Sequence, residues 1–347
     1  VDKAAMDGGS LRLALVGDCM LGRLVNDALK TELPEYAWGD TLPLLLGADC
    51  RVCNLECVIS DRGTPWSAYP KPFHFRSAAK NIAVLQAAGI NAVSLANNHV
   101  LDYGYEALEE MLDILSRNGI AWSGAGRNSA EASKVAIVDI GGRKLGFLAF
   151  TDNEPDWQAT SKLAGVFYVP IDLGDSRVMM LLDIVRGHKD TVDFLVVSAH
   201  WGPNWGYAPP REHVALAHAL IDAGADLVYG HSCHVFRGIE FYRGQPILYG
   251  AGNFVDDYAV DEIERNDESF VYMVEIEKRI TRGLRLYPTL IHNFQARRAS
   301  GAEGRRISEK MQRLCCAFHT PAAWSEEEGH LAVGYARQLA DSHNSMP

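Results

Sequence analysis

Seven side chains able to bind metal or move protons stand where apolar runs of this sequence stop. In SLANNHVLDYG (94–104) an apolar run gives way to Asn97-Asn98-His99, and Asp102 follows three residues on. LRLALV ends at Gly17-Asp18, and the run through Cys53 leads into Asn54-Leu55-Glu56. FLVVS leads to His200, and Leu227 to Tyr229 leads to Gly230-His231, with His234 in the same GHSCH segment. Compact apolar runs that halt this way read as buried strands. In open α/β sheets the C-terminal strand edge is where ligands bind. Asp18, Glu56, Asn98, His200, His231 and His234 make a mixed oxygen and nitrogen set. Such a set suits manganese, iron or zinc better than copper(I) or calcium. Two such ions about 3.5–4 Å apart clamp both oxygens of an in-line displacement and generate hydroxide near neutral pH. That chemistry also needs a spare acid for the leaving group.

Each piece has an ordinary reading on its own. Gly-Asp after a strand is a turn, and a single histidine behind an apolar run is usually a satisfied core residue. Two amides and an imidazole closing one strand carry more weight, because buried and unpaired they are costly. The joint placement at strand ends makes the set a metal-site candidate.

The spacing predicts helices over Met20 to Leu29, Ala78 to Ala88, Tyr105 to Asn118, Ser176 to His188 and Glu212 to Ala223. Gly141-Gly142 and Arg243-Gly244 predict hairpins. Early β-α units point to parallel strands and the hairpins to antiparallel edges, which two mixed sheets with helices outside would satisfy. The expected division is a disordered polar tail over 1–10, one domain over 11–295, and a helical C-terminal extension over 296–347. Ile307 to Cys316 and Ser325 to Asp341 are its predicted helices.

A formal net charge of −11, from 33 basic and 44 acidic residues, argues against a nucleic-acid partner. Seven irregularly spaced cysteines suit a reducing compartment. Cys50, Cys53 and Cys57 lack the second Cys/His cluster of a zinc finger. No run approaches the ~20 apolar residues of a membrane span, and VDKAAMDGGS has no apolar core, so no signal is expected there. The expected location is the cytoplasm. Self-association into a homo-oligomer stays open.

GDCMLGR, NLE, SLANNHVLDYG, SAHWG, GHSCHV and GAGNF, in this order between Leu11 and Ile276, resemble the CapA-like proteins of poly-γ-glutamate capsule synthesis. That family is a branch of the calcineurin-like metallophosphoesterases. The resemblance implies a four-layer α/β/β/α sandwich with two divalent transition-metal ions (Mn, Fe or Zn). Asp18 and His234 would hold the first ion, Glu56 would bridge, and Asn98, His200 and His231 would complete the second. His99 would be the proton donor and Asp102 its orienter. The second ion is better provided for, since Cys19-Met20 follows Asp18 where metallophosphoesterases usually carry Asp-x-His. Capsule proteins of this kind are commonly membrane-anchored, and this sequence shows no anchor.

Arg23, Lys71, His74, Arg76 and Arg237 are candidates for a substrate carboxylate or phosphate, which a guanidinium fork matches. Trp201, Trp205 and Tyr207 either wall the pocket or cap the core, and Asn253 is expected to support the metal shell. The resulting expectation is a metal-dependent hydrolase or transferase acting on a small anionic phosphoester or a γ-glutamyl, amide-type substrate. The alternatives are a non-catalytic scaffold or partner in polymer synthesis, and an amide-bond-forming biosynthetic enzyme. No P-loop-type phosphate loop supports the last.

Overall fold

Two sheets divide the apolar side chains into three layers. The computed structural model describes residues 10–277 and 279–334. Along the first strand, Leu11–Cys19, Leu13 and Leu15 point into the layer between the sheets, while Ala14 and Val16 point into a layer under helices. Phe194–His200 behaves the same way on the second sheet: Val196 faces the middle layer, and Leu195 and Val197 face the opposite helices. Strands buried on both faces read as continuous apolar runs, as LRLALV and FLVVS do. Helix, sheet, sheet, helix is therefore the order of layers, and the α/β/β/α sandwich is the observed architecture.

The larger sheet has ten strands. Its central path runs Ile280–His292, Glu268–Glu277, Leu11–Cys19, Cys50–Leu55, Ala92–Ser94 and Ala121–Ser123. Leu11–Cys19 is parallel to Cys50–Leu55, which is parallel to Ala92–Ser94, and antiparallel to Glu268–Glu277. The smaller sheet has six strands, with parallel Arg143–Thr151, Phe194–His200 and Leu227–His231 at its centre. Hairpins form its edges, at Ala136–Ile140 with Arg143–Thr151 and at Ile239–Tyr242 with Gln245–Leu248. Helix Gly104–Arg117 buries Ala107, Leu108, Met111, Leu112 and Leu115, the three-and-four spacing of one apolar face. Each such buried Leu or Met contributes about 1.5–3 kcal/mol relative to an exposed one.

One contact accounts for two of the glycine motifs. A Cβ on Gly17 would lie 1.8 Å from the Gly252 carbonyl oxygen, and Gly252 itself has φ +74°. Asp18 N donates to that same oxygen at 2.9 Å. The first strand and the Asn253–Val255 strand can approach this closely only without a side chain at 17.

The C-terminal part differs from the expectation. Gly301–Cys316 is helical, but Ala322–Ser325 and His330–Val333 form a hairpin on the edge of the ten-stranded sheet. Over its described part the reading of Ser325 to Asp341 as helix fails. Gly329, at φ +62°, turns the chain, and Leu331 and Val333 then alternate into the middle layer. Ile307, Met311 and Cys315 share that layer, so the helix caps the sandwich core. The expected tail over 1–10 lies outside the described residues except for Ser10, and so does the predicted helix beyond residue 334. All seven cysteines are free thiols, and Cys50, Cys53 and Cys57 are buried.

Candidate metal centre

The parallel registers bring the singled-out strand ends together. Asp18 pairs with Asn54 on one side and Asn253 on the other, and His200 pairs with His231. The first sheet thus delivers carboxylates to the edge where the second delivers imidazoles. Asp18, His200 and His231 are buried, and one ligating atom from each lies within 4.8 Å of the others.

The hydrogen bonds around the imidazoles fix what this cluster offers. His200 Nε2 lies 3.0 Å from Asn98 Oδ1, and His231 Nε2 lies 2.7 Å from Ser198 Oγ. With those nitrogens carrying the protons, both Nδ1 atoms present lone pairs, and they are 2.8 Å apart. Burial pushes His231 down to about 3 and holds His200 well below its ordinary value, so both rings are neutral near pH 7. The 3.9 Å approach of His231 Nδ1 to Asp18 Oδ1 is therefore not an ion pair. Asp18 Oδ2 is buried with no hydrogen-bond partner, and burial raises the Asp18 carboxyl against the pull of His234. Two neutral rings with facing Nδ1 atoms beside an orphaned carboxylate oxygen are a set that a divalent cation would satisfy.

Amides hold the carboxylates. Asn54 Nδ2 donates to Asp18 Oδ1 at 2.8 Å and to Glu56 Oε2 at 3.1 Å. Asn97 Nδ2 in turn donates to Asn54 Oδ1 and to the Leu55 carbonyl, while its Oδ1 accepts from His99 N. Glu56 is wholly buried, and desolvation followed by the nearby Asp18 charge raises it well above its usual range. His234 has φ +55° and Ser232 φ +92°, so GHSCH turns through a backbone costly to non-glycine residues. His234 Nδ1 lies 2.9 Å from Asn253 Oδ1, which gives Asn253 the supporting contact expected of it. Cys233 Sγ donates to the Val235 carbonyl and packs under Gly250, filling space.

His99 and Asp102 form the second unit. After the Ala92–Ser94 strand the chain makes a run of turns, with Asp102 N donating to the His99 carbonyl. That i to i+3 turn returns Asp102 Oδ2 to within 2.6 Å of His99 Nδ1. Phe75 N donates to the same oxygen. A carboxylate only accepts, so Nδ1 carries the proton and Nε2 is left facing Glu56 Oε1 at 3.8 Å. Burial lowers His99, and Asp102 opposes the shift.

Asn98, His99 and His234 lie in the wall of a cavity of roughly 620 Å³, together with Arg23, Lys71 and Trp205. The other substrate-binding candidates stand elsewhere. Arg237 is fully buried and donates to the carbonyls of Gly206, Pro203 and Trp205. Its Nη1 finds no partner, but Arg237 does not line the cavity, so it holds a loop and does not face substrate. Arg76 lies over the Tyr103 ring, 4.2 Å from its centroid, and reaches the Gly63 carbonyl. His74 Nε2 meets the Trp66 carbonyl, and neither residue lines the cavity. The aromatic trio divides: Trp201 is core, stacked on His213, whereas Trp205 walls the cavity and Tyr207 packs on Phe236. Sequence reasoning met Asn54 and Asn97 at the strand ends without giving either a role, and passed over Glu154 and Asp257, which carried no local signal.

Fold and site define an α/β/β/α sandwich with a buried Asp/His metal-site candidate at the meeting of two sheets. The family described as bacterial capsule synthesis protein PGA_cap matches residues 12–258, and this chain belongs to it. A probable polyglutamine synthesis accessory protein of Mycobacterium tuberculosis is 33% identical over 300 residues, 82% of this chain and 77% of that protein. The PGA biosynthesis protein CapA of Bacillus subtilis is 26% identical over 325 residues, 92% of this chain and 81% of its own length. The capsule biosynthesis protein CapA of Bacillus anthracis is 28% identical over 249 residues, covering 71% and 60%. Among solved structures, a putative 5'-nucleotidase from Staphylococcus aureus superposes with a TM-score of 0.46 at 13% identity, over 89% of this chain and 58% of that one. That likeness is too distant to bear on chemistry.

Proposed function

We propose that this chain is a metal-dependent hydrolase or transferase acting on a phosphoester or a γ-glutamyl, amide-type bond in capsule-polymer metabolism. The observation that carries the reading is the convergence of Asp18, His200 and His231 directly behind the cavity wall, where Asn98 contacts His200 and its neighbour His99, paired with Asp102, lines the cavity. Asp18, His200 and His231 would hold one ion. Glu56, bridged to Asp18 by Asn54, and His234, whose charge acts on Asp18, are the candidates to hold a second, and Asn98 contacts the His200 ring. A bound manganese, iron or zinc ion would supply Lewis-acid polarisation and a water of lowered pKa. The chain's own part would be His99, whose bare Nε2 would take up a proton and pass it to the leaving group, with Asp102 at Nδ1 orienting the ring and stabilising its protonated form.

Metal analysis of freshly purified protein, followed by chelation and reloading, tests this directly. The expected result is at least one transition metal per chain, turnover of a model phosphoester or γ-glutamyl amide that stops on chelation, and recovery on reloading. His99→Ala should keep the metal and lower turnover by about 10²–10⁴-fold. Undiminished turnover by thoroughly metal-free protein would overturn it.

The name of the mycobacterial relative, an accessory protein, favours a second reading: a non-catalytic partner of a polymer-synthesising enzyme built on the same scaffold. Metal-free protein, inert toward both substrate types and retained by a polymerase complex, would support that reading instead.

A further inference from the structure

The cations in the cavity wall are not equivalent. Lys71 is nearly buried, and its ammonium faces the Asn98 carbonyl, Glu154 Oε1 at 3.2 Å and Asp102 Oδ1 at 3.5 Å. Its side chain is only 6% exposed, and the ammonium donates to the first two and pairs electrostatically with the third, so the protein itself neutralises it. Arg23 has five donors, yet only Nε meets a protein acceptor, Asp257 Oδ2 at 3.2 Å. Its Nη1 is buried without a partner, while the side chain as a whole is 34% exposed and lines the cavity.

The chain invests in keeping this guanidinium in place. Arg23 has φ +49°, a left-handed conformation that a residue with a side chain holds only when its surroundings over-determine it. The guanidinium sits over the rings of Phe73 and Phe75, with centroids at 5.0 and 5.3 Å. Asp257, whose side chain is fully buried, ties the segment down further by accepting from Leu24 N at 3.0 Å. Along the cavity wall, ring contacts lead from Arg23 over Phe73 to Tyr258 and on to His234, which Trp205 also flanks.

We infer that Arg23 is a second anion subsite, so the substrate carries two anionic groups separated by a spacer with apolar faces. One group reacts at the metal centre and the other is held by the Arg23 fork. The inference rests on the proposed metal-centre reading for the reacting end only. A guanidinium already braced by Asp257 and two rings loses little freedom on binding, which favours a bidentate carboxylate or phosphate.

The test compares dicarboxylates from succinate to adipate with monocarboxylates of equal chain length, titrated by calorimetry or ligand-observed NMR into manganese-loaded full-length protein. At one chain length the dicarboxylate should bind at least about tenfold tighter than its monocarboxylate, the worth of one charge-assisted contact. Arg23→Gln should bring that ratio to about one and leave monocarboxylate affinity within about twofold. Arg23→Lys should keep part of the ratio, since charge survives without the fork. A ratio near one at every length in the unaltered protein, or a ratio that survives Arg23→Gln in a variant with an unchanged melting midpoint, overturns the subsite. If monocarboxylate binding is indifferent to chelation while the Arg23-dependent ratio persists, the metal-centre reading fails and the subsite stands.

Discussion

His200 and His231 face each other across two neighbouring parallel strands of the smaller sheet, with their Nδ1 atoms 2.8 Å apart. Register alone makes them partners, and Asp18 arrives from the other sheet to close the triangle. The pair makes chemical sense with a cation between the sheets. Removing one member should therefore be read first in metal content. His231→Ala is expected to lower bound transition metal per chain, by elemental analysis after gel filtration, to a small fraction of the unaltered value. Ser198→Ala, which removes only the contact behind the ring, should weaken metal retention by about 10–100-fold and keep the stoichiometry when metal is in excess.

Gly17 tests the close approach that seats Asp18. A methyl group there meets the Gly252 carbonyl oxygen at 1.8 Å, backbone against backbone. Gly17→Ala should cost at least about 3 kcal/mol in urea unfolding, the upper end for overpacking, or prevent folding. Gly187→Ala is the control. It lies in helix Ser176–His188 with open space at its Cβ and should stabilise by about 0.5–1 kcal/mol.

His213 gives a pH signature away from the metal centre. Burial against Trp201 lowers it to about 4, below the ~6.5 of an unfolded chain. The unfolded chain then takes up the proton first, so this residue's contribution is intact above about pH 6.5 and is lost as pH falls toward 4. Asp152, whose Oδ2 lies 4.0 Å from His213 Nε2, is raised to about 6 and acts in the opposite sense. Comparison with His213→Gln cancels the Asp152 contribution. Between pH 7 and pH 5 the unaltered protein should lose about 2 kcal/mol relative to the variant in urea unfolding. Parallel curves for the two proteins would remove His213 as the titrating group.

Arg237 is expected to act on a loop. Its guanidinium gathers three carbonyls between Pro203 and Gly206, and Trp205 of that loop stands 5.8 Å from His234, ring to ring. Arg237→Lys cannot reproduce the fork. It should make the 203–207 segment the first site of limited proteolysis and shift tryptophan emission to the red, while metal content holds. Unchanged cleavage would assign the loop's order to other contacts.

Much of the site was legible because each of its residues ends an apolar run, a local feature that strand burial imposes. Asp18, His200 and His231, which the fold gathers, were singled out that way, while β-α order and hairpins pointed to two mixed sheets with helices outside and the family resemblance implied the four layers. The sequence could not say which acceptor would claim each arginine. Arg237 and Arg23 look alike along the chain, and each leaves Nη1 unpartnered, yet one is wholly buried on carbonyls of a loop 31–34 residues away, and the other is partly exposed in a cavity wall. Nor could it foresee that the last strands join the sheet, because SEEEGHLAV has a helical look until an open sheet edge offers backbone partners. Identity and order of residues determined the elements and the kinds of ligand. Tertiary structure alone decided which donors were left unpaired, because hydrogen-bond partners come from segments remote in sequence.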